Sequence, residues 1–234
     1  AIDLVEPSDN YILSTNHFLG KKLGMTQLNQ IHVRTSASEY RYKRLSQLVA
    51  RNEKNSITKT AAILRDQRGL DDKDIGLGNE KAINQLVAHH GIIFQPEKKL
   101  MWISTAPWQL GKFVCYDLDE VFAYDAAENR EIYEQDLTIP ADSFLLTPAY
   151  RQYVKFSQYR FPFNPKTGFH PDSVIKWNPN SYHAYMLAAD YYYDKKMWQK
   201  AIPFYEKGLT KEVATMQERY HMEKNLKNCK DNVE

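Results

Sequence analysis

Little in this chain points to a membrane, a disulfide framework or a polyanion. No apolar run in its 234 residues approaches the roughly eighteen needed to span a bilayer. Lys and Arg number 31 against 29 Asp and Glu, a formal net charge of +2. That balance gives no reason to expect nucleic acid or an anionic membrane as the main partner. No basic, apolar leader opens the sequence, which leaves localisation open between cytoplasm and periplasm or exterior. Two cysteines, Cys115 and Cys229, make neither a disulfide framework nor a zinc pattern. The chain has no Gly-x-Ser-x-Gly, P-loop or dinucleotide fingerprint. His89 and His90 are adjacent, so in a strand they point to opposite faces and share no ion. The other five His have no ligand spacing. The acids Asp66, Asp71, Asp72 and Asp74 lack the fixed oxygen ligands that calcium needs. The expectation is no metal and no cofactor.

What the chain has is a large aromatic content. Sixteen Tyr and ten Phe supply buried area, with a hydrogen bond wanted at each Tyr tip. Tyr11 to Thr15 reads as a short buried strand running into Asn16-His17-Phe18. Ser38 is placed to cap a helix reaching Asn52, with Glu39 in the first turn and Tyr40, Leu45, Leu48 and Val49 on one face. The basic residues Arg41, Lys43, Arg44 and Arg51 read as its solvated face. A second helix, Ile57 to Arg65, has Ser56 as cap. Leu86 to Phe94 and Leu100 to Thr105 flank Gln95–Lys99 as a hairpin. Phe113 to Leu118 reads as a further strand. From Glu128 to Asn178 the pattern is irregular, with a short helix near Thr147 to Phe156.

Residues from Ser181 onward are helical in pattern. Tyr185, Ala188, Ala189 and Tyr192, followed by Ala201, Tyr205 and Gly208, resemble one tetratricopeptide repeat. Val213 stands where that repeat has its final Pro. A further helix from Ala214 to Cys229 is expected to cover the pair. Because a single repeat cannot bury its own surface, it should dock on the preceding domain. Peptide binding by this hairpin is a second expectation.

One phrase bears on chemistry. An Asn at the end of a strand offers an amide donor, and oxyanion stabilisation needs a fixed, desolvated donor. Asn16 holds that place, although an Asn also turns a chain for structural reasons alone. Four further phrases follow Thr15-Asn16-His17-Phe18 in order. They are Arg41-Tyr42-x-Arg44-Leu45, Ile63-Leu64-Arg65-Asp66, His89-x-x-Ile92-x-Phe94-x-Pro96 and Leu100-x-Trp102-Ile103-Ser104. The ordered set, over residues 2–122, resembles the second half of the isopenicillin-N acyltransferase family, relatives of the choloylglycine hydrolases.

The resemblance implies an α+β architecture: the C-terminal half of an N-terminal-nucleophile (Ntn) hydrolase αββα sandwich over residues 1–178. The tetratricopeptide-like extension then occupies 179–234. It implies an autoprocessed amidohydrolase or acyltransferase acting on a linear amide or thioester, with a small acylated amine or acyl thioester as substrate. In that family self-cleavage frees a Cys whose thiolate attacks while its own α-amino group is the base. The oxyanion-hole Asn of the family matches Asn16, and His17 is expected to be structural. Two departures stand against this. Ala1 has no nucleophilic side chain, so the Cys is expected on a separate N-terminal part of the precursor, and this chain alone is expected to be inactive. The family's Arg before the hairpin is replaced here by Lys81-Ala82-Ile83-Asn84-Gln85. Arg65 is one substitute for it, pairing with a nearby acid its structural alternative. Trp102 and Trp108 are core residues by default and lining of an acyl pocket by the sharper reading. The rival expectation is a non-catalytic interaction module: a degenerate Ntn half as scaffold for a partner-binding hairpin.

Overall fold

The computed structural model describes residues 5–7, 11–51, 54–125, 127, 130–160 and 170–233. Sequence and structure agree best where a local stop or start signal exists. Helix α1 (Lys21–Gly24) leads into α2 (Gln27–Thr35), capped by the Thr26 hydroxyl. Helix α3 (Ser38–Ala50) and α4 (Ile57–Leu64) follow, and α4 starts at the expected Ser56 cap, which accepts from Lys59 N at 3.2 Å. In α3 the expected cap is displaced by one residue. Ala37 is the N-cap and makes no side-chain cap bond, because the Ser38 hydroxyl is turned toward Thr15 and His17.

Four antiparallel strands form one meander in chain order: β1 (Ile92–Gln95), β2 (Leu100–Ser104), β3 (Phe113–Asp117) and β4 (Tyr133–Ile139). The hairpin is present, but its first strand is shorter than the sequence implies. Leu86 sits at φ 53°, in the left-handed region, and its N–H is held by Asn84 Oδ1 at 2.9 Å. Residues 86–91 therefore leave the extended path before pairing begins. Tyr11 to Thr15 is not a ladder strand among the described residues. Tyr11 makes an isolated bridge, and among the described residues no neighbouring strand extends it into a ladder. The irregular middle holds the expected helix, here α6 (Pro148–Arg160), and more besides: β4, α7 (Pro171–Trp177) and the short α5 (Leu118–Ala123) after β3.

The two faces of the sheet differ in their cover. Ile93, Leu100, Trp102, Phe113 and Cys115 pack with Ala61 and Leu64 of α4 into a core cluster. On the other face the register brings together Ile92 with Ile103 and Phe94 with Met101, then Ile103 with Val114 and Met101 with Tyr116. These side chains are apolar too, yet Ile92 is 43% and Phe94 57% exposed. An antiparallel sheet with one wet face normally alternates apolar and polar residues. This one is apolar on both.

Helices α8 (Tyr182–Asp194), α9 (Trp198–Leu209) and α10 (Met216–Asp231) form the C-terminal layer. Small residues set their spacing: a Cβ on Gly208 would lie 3.1 Å from Met222 Sδ and 3.2 Å from Tyr185 Cβ. Tyr182, Ala189, Ala201, Tyr205, Met222 and Cys229 fill the interior. Thr215 and Glu218 close a capping box on α10. The layer docks on the preceding residues, as expected. Ala184 and Ala188 share a cluster with Leu86, Leu110, Tyr153, Phe156 and Val174. Gly76, at φ 80°, lies so close to the chain that a Cβ would be 2.4 Å from Ser181 Cα. Asn178 receives Leu77 N–H at 3.0 Å and returns a bond to Leu77 O at 2.8 Å. Glu212 accepts from Lys81 at 2.7 Å and Lys73 at 3.0 Å. Beneath α8, Tyr182 Oη meets both Glu80 and Glu218, and Arg160 pairs with Glu80.

Candidate functional site

Each residue of the Thr15–Phe18 phrase is tied down by a separate contact. The Thr15 hydroxyl donates to Ser38 O at 3.0 Å, and His17 Nδ1 lies 2.8 Å from Ser38 Oγ. The His17 ring stands edge-on to Tyr42, with centroids 5.7 Å apart, and burial lowers its pKa. Phe18 N donates to Asn29 Oδ1 at 2.9 Å, and Asn29 Nδ2 returns to Phe18 O and Gly24 O at 3.2 and 2.9 Å. His17 is thus a structural residue that fixes the turn to the start of α3.

Asn16 faces the other way and is exposed. Arg41 Nη2 donates to Asn16 Oδ1 at 2.6 Å while Arg41 Nη1 donates to Glu80 O at 2.5 Å. A guanidinium has only donors, so it selects the carbonyl end of the amide. The Asn16 amide NH2 is left pointing away from Arg41, with no hydrogen bond among the described residues. The arrangement is a positioned N–H donor beside a fixed positive charge. That is a pairing suited to a developing anion. Arg41 does not serve a solvated face, as the sequence implied; it holds this turn to residue 80. Arg44, on the same helix, is also removed from water and grips Asp66.

A hollow of about 500 Å³ adjoins the turn, lined by His17, Phe18, Leu19, Asn29, Tyr42 and Lys43; Asn16 stands outside it. A second, of about 460 Å³, is lined by Arg65, Asp66, Arg68, Phe144, Trp177 and Asn178. Among the described residues Arg65 makes no ion pair. Its guanidinium donates to the carbonyls of Gln109 (3.2 Å), Gly111 (2.6 Å) and Pro140 (3.0 Å), and it stacks over Phe113 at 5.0 Å. It clamps the turn between β2 and β3 and shows one edge to the hollow. Trp102 is 3% exposed within the sheet core and donates Nε1–H to Leu137 O at 2.8 Å. Trp108, at φ 48°, packs edge-on against Tyr150 and Tyr153. Neither Trp lines the hollows described, so the core role fits both.

Cys115 and Cys229 are buried. Burial pushes the Cys115 thiol up to about 11, and nearby Glu134 adds to the shift, so neither position offers a thiolate nucleophile. Lys81, in the stretch that lacks the expected Arg, is engaged with Glu212. Sequence reasoning missed the Arg41 contact because the guanidinium reaches 25 residues back along the chain. It also missed the Glu80, His183 and Glu218 group. The one legible signal there was the Thr215-x-x-Glu218 spacing of a capping box. Compared with known proteins, the chain matches no family model, no curated protein and no solved structure.

Proposed function

We propose that this chain is the C-terminal part of an autoprocessed Ntn hydrolase or acyltransferase acting on linear amide or thioester bonds. The orientation of the Asn16 amide carries the reading. Arg41 occupies its carbonyl, so its NH2 is available to the oxyanion formed when a thiolate adds to an acyl carbon. The thiolate belongs to a Cys on the N-terminal part of the precursor, whose α-amino group takes the proton. The open apolar face of the sheet supports the fold half of the proposal. A second sheet packed on Ile92, Phe94, Met101 and Ile103 would complete an αββα sandwich. The exposed Tyr11 and Ile12 ahead of Asn16 favour the same arrangement, since an extended segment with no ladder among the described residues is one that an additional strand can pair. The C-terminal helices, tetratricopeptide-like in their small-residue spacing, brace this half from the far end of the chain.

The test is expression of the precursor with purification through this chain. A co-purifying polypeptide that begins with Cys is expected. Asn16→Ala should lower amide or thioester turnover of the processed assembly about a hundredfold, the usual cost of one oxyanion donor. Loss below about threefold, with processing intact by mass, would reduce Asn16 to a turn residue. Recovery of the chain alone, folded and inert, would favour a non-catalytic interaction module.

A further inference from the structure

The polar junction beneath α8 is one proton short. Tyr182 Oη lies 2.5 Å from Glu218 Oε1 and 3.0 Å from Glu80 Oε2. A phenol has a single hydrogen, so one of these carboxylate oxygens faces a lone pair. The remaining oxygens are already engaged: Arg160 takes Glu80 Oε1, and Thr215 offers Glu218 Oε2 its N–H at 3.2 Å and its hydroxyl at 2.7 Å. Glu80 and Glu218 meet one hydrogen-bonded guanidinium, Arg160, with the Arg41 charge also near Glu80.

Beside them stands the imidazole of His183. A ring nitrogen and one oxygen from each carboxylate lie within 4.8 Å of one another. His183 Nδ1 is shut off from solvent and has no hydrogen-bond partner among the described residues. A buried polar atom with no partner calls for an explanation. The ring is held in place, stacked on Tyr182 and edge-on to Phe156. Burial, reinforced by the Arg160 charge, lowers its pKa to about 4, so the ring is uncharged at neutral pH. A neutral imidazole carries N–H on one ring nitrogen and keeps a lone pair on the other, which is the one that can meet a cation.

We propose that Glu80, His183 and Glu218 form a binding site for a divalent transition-metal cation, with Zn²⁺ the best match. One imidazole and two carboxylates are a zinc donor set, and a +2 ion answers the missing proton. A tetrahedral site with bonds of 2.0–2.2 Å has donor–donor edges of about 3.4 Å. The three donor atoms, now within 4.8 Å of one another, would have to draw together to reach that edge. The ion would join residue 80 to α8 and α10, which makes its role structural. Arg160 opposes it, so the affinity should fall short of that of an all-anionic site.

The proposal is independent of turnover and is tested by binding. The purified protein, stripped with a chelator, is titrated calorimetrically with ZnCl₂ at neutral pH. One Zn²⁺ per chain is expected, with a raised unfolding temperature. His183→Gln and Glu218→Gln should each weaken binding at least tenfold, with fold checked by circular dichroism. The double variant His89→Gln/His90→Gln, which removes the exposed adjacent pair, should bind as before. No stoichiometric binding by the parent protein would overturn the assignment. Binding within twofold of the parent in whichever of the two site variants folds would do so too, as would loss of binding in the His89/His90 variant instead.

Discussion

Arg44→Met should be among the most destabilising single changes in the sheet-bearing part of the chain. Arg44 is 1% exposed and grips Asp66 at both carboxylate oxygens, at 2.9 Å from Nε and 2.7 Å from Nη2. Nη2 also reaches Asp72 at 2.9 Å. The Met side chain keeps the packing of the aliphatic stem and removes only the charge. Asp72 is 58% exposed and retains Arg51 at 2.9 Å, so its share is small. Asp66, at 12% exposure, is left as a nearly buried anion without its counter-charge, which costs about 3–5 kcal/mol. Arg44 Nη1 is buried without an acceptor, so the pair is imperfectly satisfied and the lower end, about 3 kcal/mol, is expected. Urea unfolding monitored by tryptophan fluorescence measures it. The double variant Arg44→Met/Asp66→Asn, with neither charge, should recover at least half of the loss. A single-variant cost below about 1 kcal/mol, or strict additivity in the double, would refute the argument.

Three other outcomes follow from the geometry. Gly76→Ala should cost more than about 2 kcal/mol, because it combines a left-handed φ with a Cβ set against the Ser181 backbone; chemical denaturation would show it. His221 is raised by its hydrogen bond to Asp190, at 3.0 Å, and then by the Asp190 charge. Its contribution is therefore complete below pH 6.5, the ordinary value, and fades as pH rises through the elevated pKa. At 46% exposure it should amount to less than about 1 kcal/mol, and a His221→Gln variant should lack that fade in thermal melts across pH 5–9. Under the proposed function, Arg41→Met should lower turnover of the processed assembly at least tenfold by releasing the Asn16 carbonyl, whereas His17→Gln should act mainly on stability; equal effects of the two on turnover would count against the orientation argument.

The helices were legible in the sequence where a cap or a spacing of small residues is local, as at Ser56 and the Ala189–Ala201–Gly208 series. The hairpin was legible from its two apolar runs, but its true start was not, since the bend depends on Asn84 reaching the carbonyl of Trp108, 24 residues away. Strand β4, YEQDLTI, is an edge strand of mixed polarity with no clean alternation to find. At the site, Asn16 stood out from its phrase. What orients it did not, because a basic residue on a helix face looks the same whether it meets water or a carbonyl. Arg65 illustrates the same limit: its partners are main-chain oxygens, which leave no mark in the identity of the residues that carry them.

The reciprocal bonds between Leu77 and Asn178 span a separation of 101 residues. Closing so long a loop is entropically costly, by about 4 kcal/mol on a logarithmic scale, and that cost is met only once the intervening chain is already ordered. The C-terminal helices can coil early from their neighbours in sequence, but they find a seat only on a finished surface. A terminal tag placed after α10 would thus report on the state of residues synthesised long before it.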